Sequence, residues 1–191
     1  MIELYLDTHF QDVLIALYKD GKLFDLKKEK NVKNTSVVTL PLFIEMLNHN
    51  NLNVNDIKKI YVNIGPGSFT GVRIGVTLAK TIAYSLNIPI VGVSSLDILV
   101  AMLDTESYVA VKENNGYFVA LSTNVLGRTN IDYLNETEYD HFIKNRNVYI
   151  NYEDIDYQKA YNYFKKFNDD NYFTIKPFYV KSIEAMNDKR N

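Results

Sequence analysis

The segment Gly65-Pro-Gly-Ser-Phe-Thr-Gly-Val-Arg-Ile-Gly75 offers the most chemistry in this sequence. A β-branched run ending at Ile64 enters it and a helical pattern leaves it, the arrangement that holds phosphates in many proteins. A Walker A loop needs Gly, four residues, Gly, Lys and Ser/Thr, so that the lysine reaches the β- and γ-phosphates. Counted from Gly65, the corresponding place holds Thr70-Gly71-Val72, without the lysine. A dinucleotide fingerprint needs its third glycine one residue earlier than Gly71, in the first strand–helix unit of the chain. A helix N-terminus attracts anions in any case. Ser68 and Thr70 can cap the same N–H groups with no ligand present, which is the simpler reading.

Other reactive types are sparse. Asp7-Thr8, at the end of the first strand, is the best-placed acid. Such an acid supports a metal–phosphate site where glycines follow to admit the phosphates, but His9-Phe10-Gln11 follow here. Its plainer reading is strand-end hydrogen bonding. His9, His49 and His141 lie far apart, with no His-x-x-x-His or His-x-x-Glu-His, so each reads as exposed or singly hydrogen-bonded. Cysteine is absent, which excludes disulfides, thiolate metal sites and cysteine nucleophiles. No Gly-x-Ser-x-Gly elbow occurs. The expectation is no catalytic residue, no metal and no cofactor.

The elements that position these residues follow from periodicity. Residues 2–6, 13–18 and 22–27 read as strands, with Asp20-Gly21 as a hairpin turn. A helix fits Ser36 to Asn48, a strand Ile57 to Ile64, and a long helix 70–86. Pro89-Ile-Val-Gly-Val reads as a buried strand, and a helix follows, capped by Ser94 or Ser95. From Asp104 a second region begins, with strands 108–111 and 117–121 around Asn115-Gly116. Beyond it come a strand near 130–134, helices at 136–144 and 156–166, and a short strand at 148–151. Strands followed by strand–helix–strand units indicate an α/β class with a mixed sheet. The 191 residues carry a formal charge of −2, so no global field draws nucleic acid. No apolar run spans a bilayer and no basic leader precedes Met1-Ile-Glu-Leu, so the expectation is a cytoplasmic protein without membrane contact.

Both long helices are richer in apolar surface than an amphipathic stripe requires. On 70–86 the apolar or small arc spans about 200° at 100° per residue, twice the usual ~100°. Gly71, Gly75, Ala79 and Ala83 repeat every four residues on one flank, and Ile74, Leu78 and Ile82 hold the other. Gly75 within the helix costs ~1 kcal/mol relative to Ala, which calls for a packing reason. In the preceding helix Val37, Val38, Leu40, Leu42, Phe43, Ile44, Met46 and Leu47 leave only Glu45 as a clear interruption. Either the two helices bury each other within this chain, or they form a docking surface. The docking reading assigns Leu40, Phe43, Ile44, Leu47, Val72, Gly75, Val76, Ala79 and Ala83 to the partner, with the small-residue flank as the groove.

The glycine segment is similar to the signature of the TsaB (YeaZ) family of the actin-like/Hsp70-like superfamily. Leu6-Asp7-Thr8, Pro89-Ile-Val-Gly-Val-Ser-Ser-Leu96 and Phe178-Tyr-Val-Lys181 support the resemblance, which is clear over residues 1–100 and thin beyond. It implies an α/β, two-lobed RNase H-like/actin-like ATPase fold, a mixed sheet flanked by helices with a reduced second lobe. The lobes would be residues 1–103 and 104–191, the C-terminal tail packing back on the first. Asp7, Thr8, Gly65, Pro66, Gly67, Ser68, Phe69, Thr70, Gly71 and Arg73 would form the family-motif loop. The resemblance further implies a noncatalytic subunit that binds and supports TsaD, which transfers a threonylcarbamoyl group to N6 of an adenosine in tRNA. The ATPase TsaE would join the assembly, tRNA would be met only through it, and the chain alone would pair with itself. The competing reading is a nucleotide-dependent phosphotransferase or ATPase with a divergent phosphate loop, resting on Asp7 and the glycine-rich helix start. A metal-dependent peptidase lacks its ligands.

Overall fold

The computed structural model describes residues 1–113, 115–125 and 129–178. Alternating apolar side chains build β1 (Ile2–Asp7) and β2 (Val13–Lys19), which with β3 (Lys22–Glu29) form an antiparallel meander. Asp20 and Gly21 both adopt positive φ in the connecting turn, 52° and 83°, as a tight hairpin requires. β1 also pairs in parallel with β4 (Ile57–Asn63), and β4 with β5 (Ile90–Val93). The sheet order is β3-β2-β1-β4-β5. Two crossover helices connect it, α1 (Thr35–His49) and α2 (Phe69–Leu86), and α3 (Ser95–Met102) follows β5. Pro41 lies inside α1. Ser94, rather than Ser95, caps α3, in a reciprocal box with Asp97.

The second sheet contains β6 (Tyr108–Glu113), β7 (Gly116–Leu121), β8 (Asp132–Asn135) and β9 (Val148–Tyr149), in the order β8-β7-β6-β9. α4 (Ser122–Val125), which the periodicity does not reveal, and α5 (Glu136–Phe142) accompany it. The hairpin differs from the Asn115-Gly116 expectation: Gly116 is already in β7, paired with Glu113. Its lack of a side chain serves packing, because a Cβ there would meet the Leu134 carbonyl at under 3.0 Å.

Strand alternation sorts the first-lobe core into two layers. Leu4, Leu6, Ile15 and Leu17 pack under α1 and α2 with Met46, Val72, Val76 and Ala79. Tyr5, Leu14, Ala16 and Tyr18 pack on the opposite face with Ala160, Tyr161 and Phe164 of α6 (Tyr157–Phe164). Thus α6 lies on the first sheet although it follows the second in sequence. α3 joins the lobes: Ile98 and Ala101 enter the first core, while Leu96 and Leu99 meet Val109, Val111 and Ala120. The chain then runs beside β5. Asp170 bridges to Ile90 and accepts the Gly92 N–H at 2.7 Å, Ile175 is buried in the first core, and the Phe178 N–H donates to Ile64 O. This covers an otherwise open sheet edge. Tyr179, Val180 and Lys181, part of the C-terminal likeness, lie outside the described residues. No helix among the described residues is long and apolar enough to cross a membrane.

Candidate functional site

The glycine segment is a packing device inside the chain. Ser68 caps α2 by accepting the Gly71 N–H, and its own N–H donates to the His9 carbonyl at 2.6 Å. Gly71 and Gly75 lie against Thr8: a Cβ on Gly71 would meet the Thr8 carbonyl, and one on Gly75 the Thr8 hydroxyl, both at under 3.0 Å. The Thr8 hydroxyl meanwhile donates to Gly71 O at 2.7 Å. Gly67, at φ 158°, similarly leaves no room beside His9 O. Ser95 holds the loop's other side through Gly65 O and Pro66 O, at 2.9 and 2.7 Å. The glycines therefore bring the start of α2 against the end of β1.

This geometry corrects the docking assignment. Gly75, Ala79 and Ala83, with Val72 and Val76, are buried within this chain, as are Phe43 and Leu47. The small-residue flank faces the sheet because only small residues let α2 approach β1 so closely. The bulky flank is the more open one, with Ile74 and Leu78 half-buried. Of the nine residues, Leu40 and Ile44 are exposed, at 47% and 48%. Val37, at 63%, lies on the same face of α1 at helical spacing. The motif loop divides as well. Asp7, Thr8, Gly65, Pro66 and Gly71 are buried, Gly67 is half-buried, and Ser68, Thr70 and Arg73 are exposed. Phe69 is 44% exposed and carries the Arg73 guanidinium 3.7 Å above its ring.

Asp7 anchors a buried polar network. Its carboxylate accepts the Tyr5 hydroxyl at 2.8 Å, the His9 N–H at 3.0 Å and Asn63 Nδ2 at 3.0 Å, and it pairs with His9 Nδ1. Burial alone would raise this carboxyl, but the charge and hydrogen bonds of His9 prevail and hold it below its ordinary value. Burial, reinforced by the Asp7 charge, pushes the Tyr5 and Tyr152 hydroxyls well up. Tyr152 arrives from the second half of the chain, its hydroxyl 3.3 Å from Asn63 Nδ2. His9 is thus buried, not exposed as its isolation in sequence suggests, and its ring lies between those of Phe10 and Tyr152. No local pattern links Asp7 to Asn63 or Tyr152; only the parallel pairing of β1 with β4 and the return of the chain bring them together.

A family model described as TsaD, tRNA N6-adenosine threonylcarbamoyltransferase, matches residues 29–157. A Bacillus subtilis relative, named tRNA threonylcarbamoyladenosine biosynthesis protein TsaB, is 46% identical over 101 residues, which are 53% of this chain and 44% of that protein. The chain spans about half the length of the curated relatives it matches. Among solved structures, YeaZ from Pseudomonas aeruginosa aligns with a TM-score of 0.57 and 24% identity, over 63% of this chain and 60% of that one. A protein described as similar to peptidase YeaZ from Pseudomonas aeruginosa aligns with a TM-score of 0.72 and 16% identity, over 94% and 99%. These structures establish the fold, a two-lobed α/β arrangement of mixed sheets flanked by helices.

Proposed function

The chain belongs to the family of the tRNA N6-adenosine threonylcarbamoyltransferase model, and from that premise we propose that it is a noncatalytic docking subunit. In this reading it binds and supports a TsaD-like transferase in forming threonylcarbamoyladenosine in tRNA. Residues 1–103 form the docking lobe and residues 104–191 the smaller second lobe. A TsaE-like ATPase and tRNA are reached through the assembly, in the cytoplasm, and the chain pairs with itself when the transferase is absent.

The carrying observation is the row Val37, Leu40 and Ile44, 63%, 47% and 48% exposed along α1. α1 packs beside α2, whose Ile74 and Leu78 are half-exposed. Grouped apolar side chains on the outside of a well-filled core mark an interaction surface. The surface is helical and apolar, so a helical face of similar character complements it. The lost nucleotide-loop lysine and the intrachain use of the glycines favour this reading over a phosphotransferase.

The test mixes the chain with the TsaD of its own organism and follows elution by light scattering. A stable complex at micromolar concentration is expected. Ile44→Glu should weaken it about tenfold to a hundredfold, the ~1.4–3 kcal/mol of a central apolar contact, with unchanged thermal stability. Separate elution of the parent proteins, or full affinity in Ile44→Glu and Leu40→Glu alike, would refute the proposal.

A further inference from the structure

The cleft between the lobes encloses about 930 Å³, lined among others by Asp7, His9, Phe10, Ser68, Thr70 and Lys112. None of this belongs to the apolar face of α1. His9 is 2% exposed, and with Nδ1 tied to Asp7 its other ring nitrogen, Nε2, has no hydrogen-bonding partner. Buried polar atoms are nearly always bonded, so an open one calls for a partner yet to arrive. The Asp7 carboxylate beside Nδ1 favours the imidazolium form, in which Nε2 bears a hydrogen and must donate.

A second feature has the same polarity. The first turn of α2, an 18-residue helix, lines this cavity with Ser68, Phe69 and Thr70, and the positive end of its dipole lies there. Lys28 and Lys112 also line the cleft, while Asp12 among its acids is matched by Lys28 at 3.0 Å. A lone donor on a buried cationic ring and a helix N-terminus both suit a negatively charged acceptor.

We propose that His9 Nε2 and the first turn of α2 bind a small anion in the cleft, the phosphate or carboxylate group of a metabolite. Phe10 and Phe69 provide apolar walls for the remainder of such a molecule.

The test uses the full chain labelled with ¹⁵N-histidine, whose three histidines give a readable long-range ¹H–¹⁵N spectrum. Sodium phosphate and sodium acetate are titrated separately against sodium chloride at matched ionic strength. Protonation at both His9 nitrogens is expected, with a saturable shift of its Nε2 signal in phosphate, acetate or both, while those of His49 and His141 follow ionic strength alone. The more effective salt identifies the anion class. Phosphate or acetate should also raise the Tm of the parent above its value in chloride, and His9→Phe, which keeps an aromatic ring between Phe10 and Tyr152, should lose that increment. Should His9→Phe fail to fold, the parent titration decides alone. A neutral His9, a shift equal in chloride, or no shift at tens of millimolar overturns the proposal.

Discussion

Gly71 and Gly75 both lie against Thr8, yet they test different things, because one faces a backbone carbonyl and the other a hydroxyl. Ordinary van der Waals contact for an added Cβ is 3.4–4 Å, and both sites offer less than 3.0 Å. In Gly71→Ala the obstructing atom is Thr8 O, which can move only if β1 or α2 moves. Overpacking of this kind costs ~1–3 kcal/mol. Displacing Gly71 also loosens the 2.7 Å bond from the Thr8 hydroxyl, worth about 1 kcal/mol. Replacing glycine in a helix returns at most ~1 kcal/mol. The net expectation is about 2–3 kcal/mol of destabilisation, lowering Tm by roughly 5–10 °C in a chain of this size. In Gly75→Ala the obstruction is the Thr8 hydroxyl itself, so Thr8→Ala should relieve it. Urea unfolding followed by far-UV circular dichroism of the four combinations measures both couplings. On the Thr8→Ala background the cost of Gly75→Ala should fall by ~1 kcal/mol or more, whereas that of Gly71→Ala should stay within ~0.5 kcal/mol. Gly71→Ala as stable as the parent, or equal rescue of both glycines by Thr8→Ala, would show that α2 is not seated on β1.

Acid should destabilise the protein through Asp7, whose folded value is depressed by His9: its contribution is present above about pH 3.9 and is lost as pH falls through the lower folded value. Urea midpoints at pH 3 and pH 7 should differ less in Asp7→Asn than in the parent. Alkali acts with the opposite sign, because burial raises Tyr5 and Tyr152, so their contribution is whole below about pH 10 and is lost above it. Tyrosinate absorbance from these two should appear together with the loss of circular dichroism, not before it. Ile175→Ala, which empties part of the first core where the chain runs beside β5, should cost about 2 kcal/mol and lower Tm by roughly 4–8 °C in thermal unfolding.

The first lobe was legible because its signals are local. Strands β1 to β5 alternate or run apolar, Asp20-Gly21 marks a left-handed turn, and Ser68 and Ser94 mark helix starts, each within a few residues of what it controls. The second lobe carries weaker periodicity, so α4 escaped notice and the hairpin shifted by one residue. The position of α6 could not be read at all. Its amphipathic face fits either sheet, and Tyr161 reaching buried Glu3 across the chain decides for the first. The Asp7 network is likewise long-range, since Asn63 and Tyr152 carry no pattern that announces a shared partner. His9 shows the limit of spacing arguments: the lack of a second nearby histidine excludes a helical metal face but says nothing about burial.

The stripe of small residues on α2 shows why excess apolar surface does not by itself say where a partner sits. A helix lying flat on a sheet buries one stripe, but α2 touches β1, β4 and α1 together, and so buries an arc much wider than ~100° without any second molecule. Glycine and alanine face the sheet because β1 ends beneath them, where Thr8 and His9 leave no room for a Cβ. What this leaves unmatched is displaced outward, onto the half-open Ile74 and Leu78 and the exposed Val37, Leu40 and Ile44 of α1. Branched side chains at the surface cost more to leave in water than the buried alanines would, by ~25 cal/mol per Å² of apolar area. A docking partner is therefore recruited by the large residues of α1, and the small residues of α2 act earlier, by fixing the platform on which α1 stands.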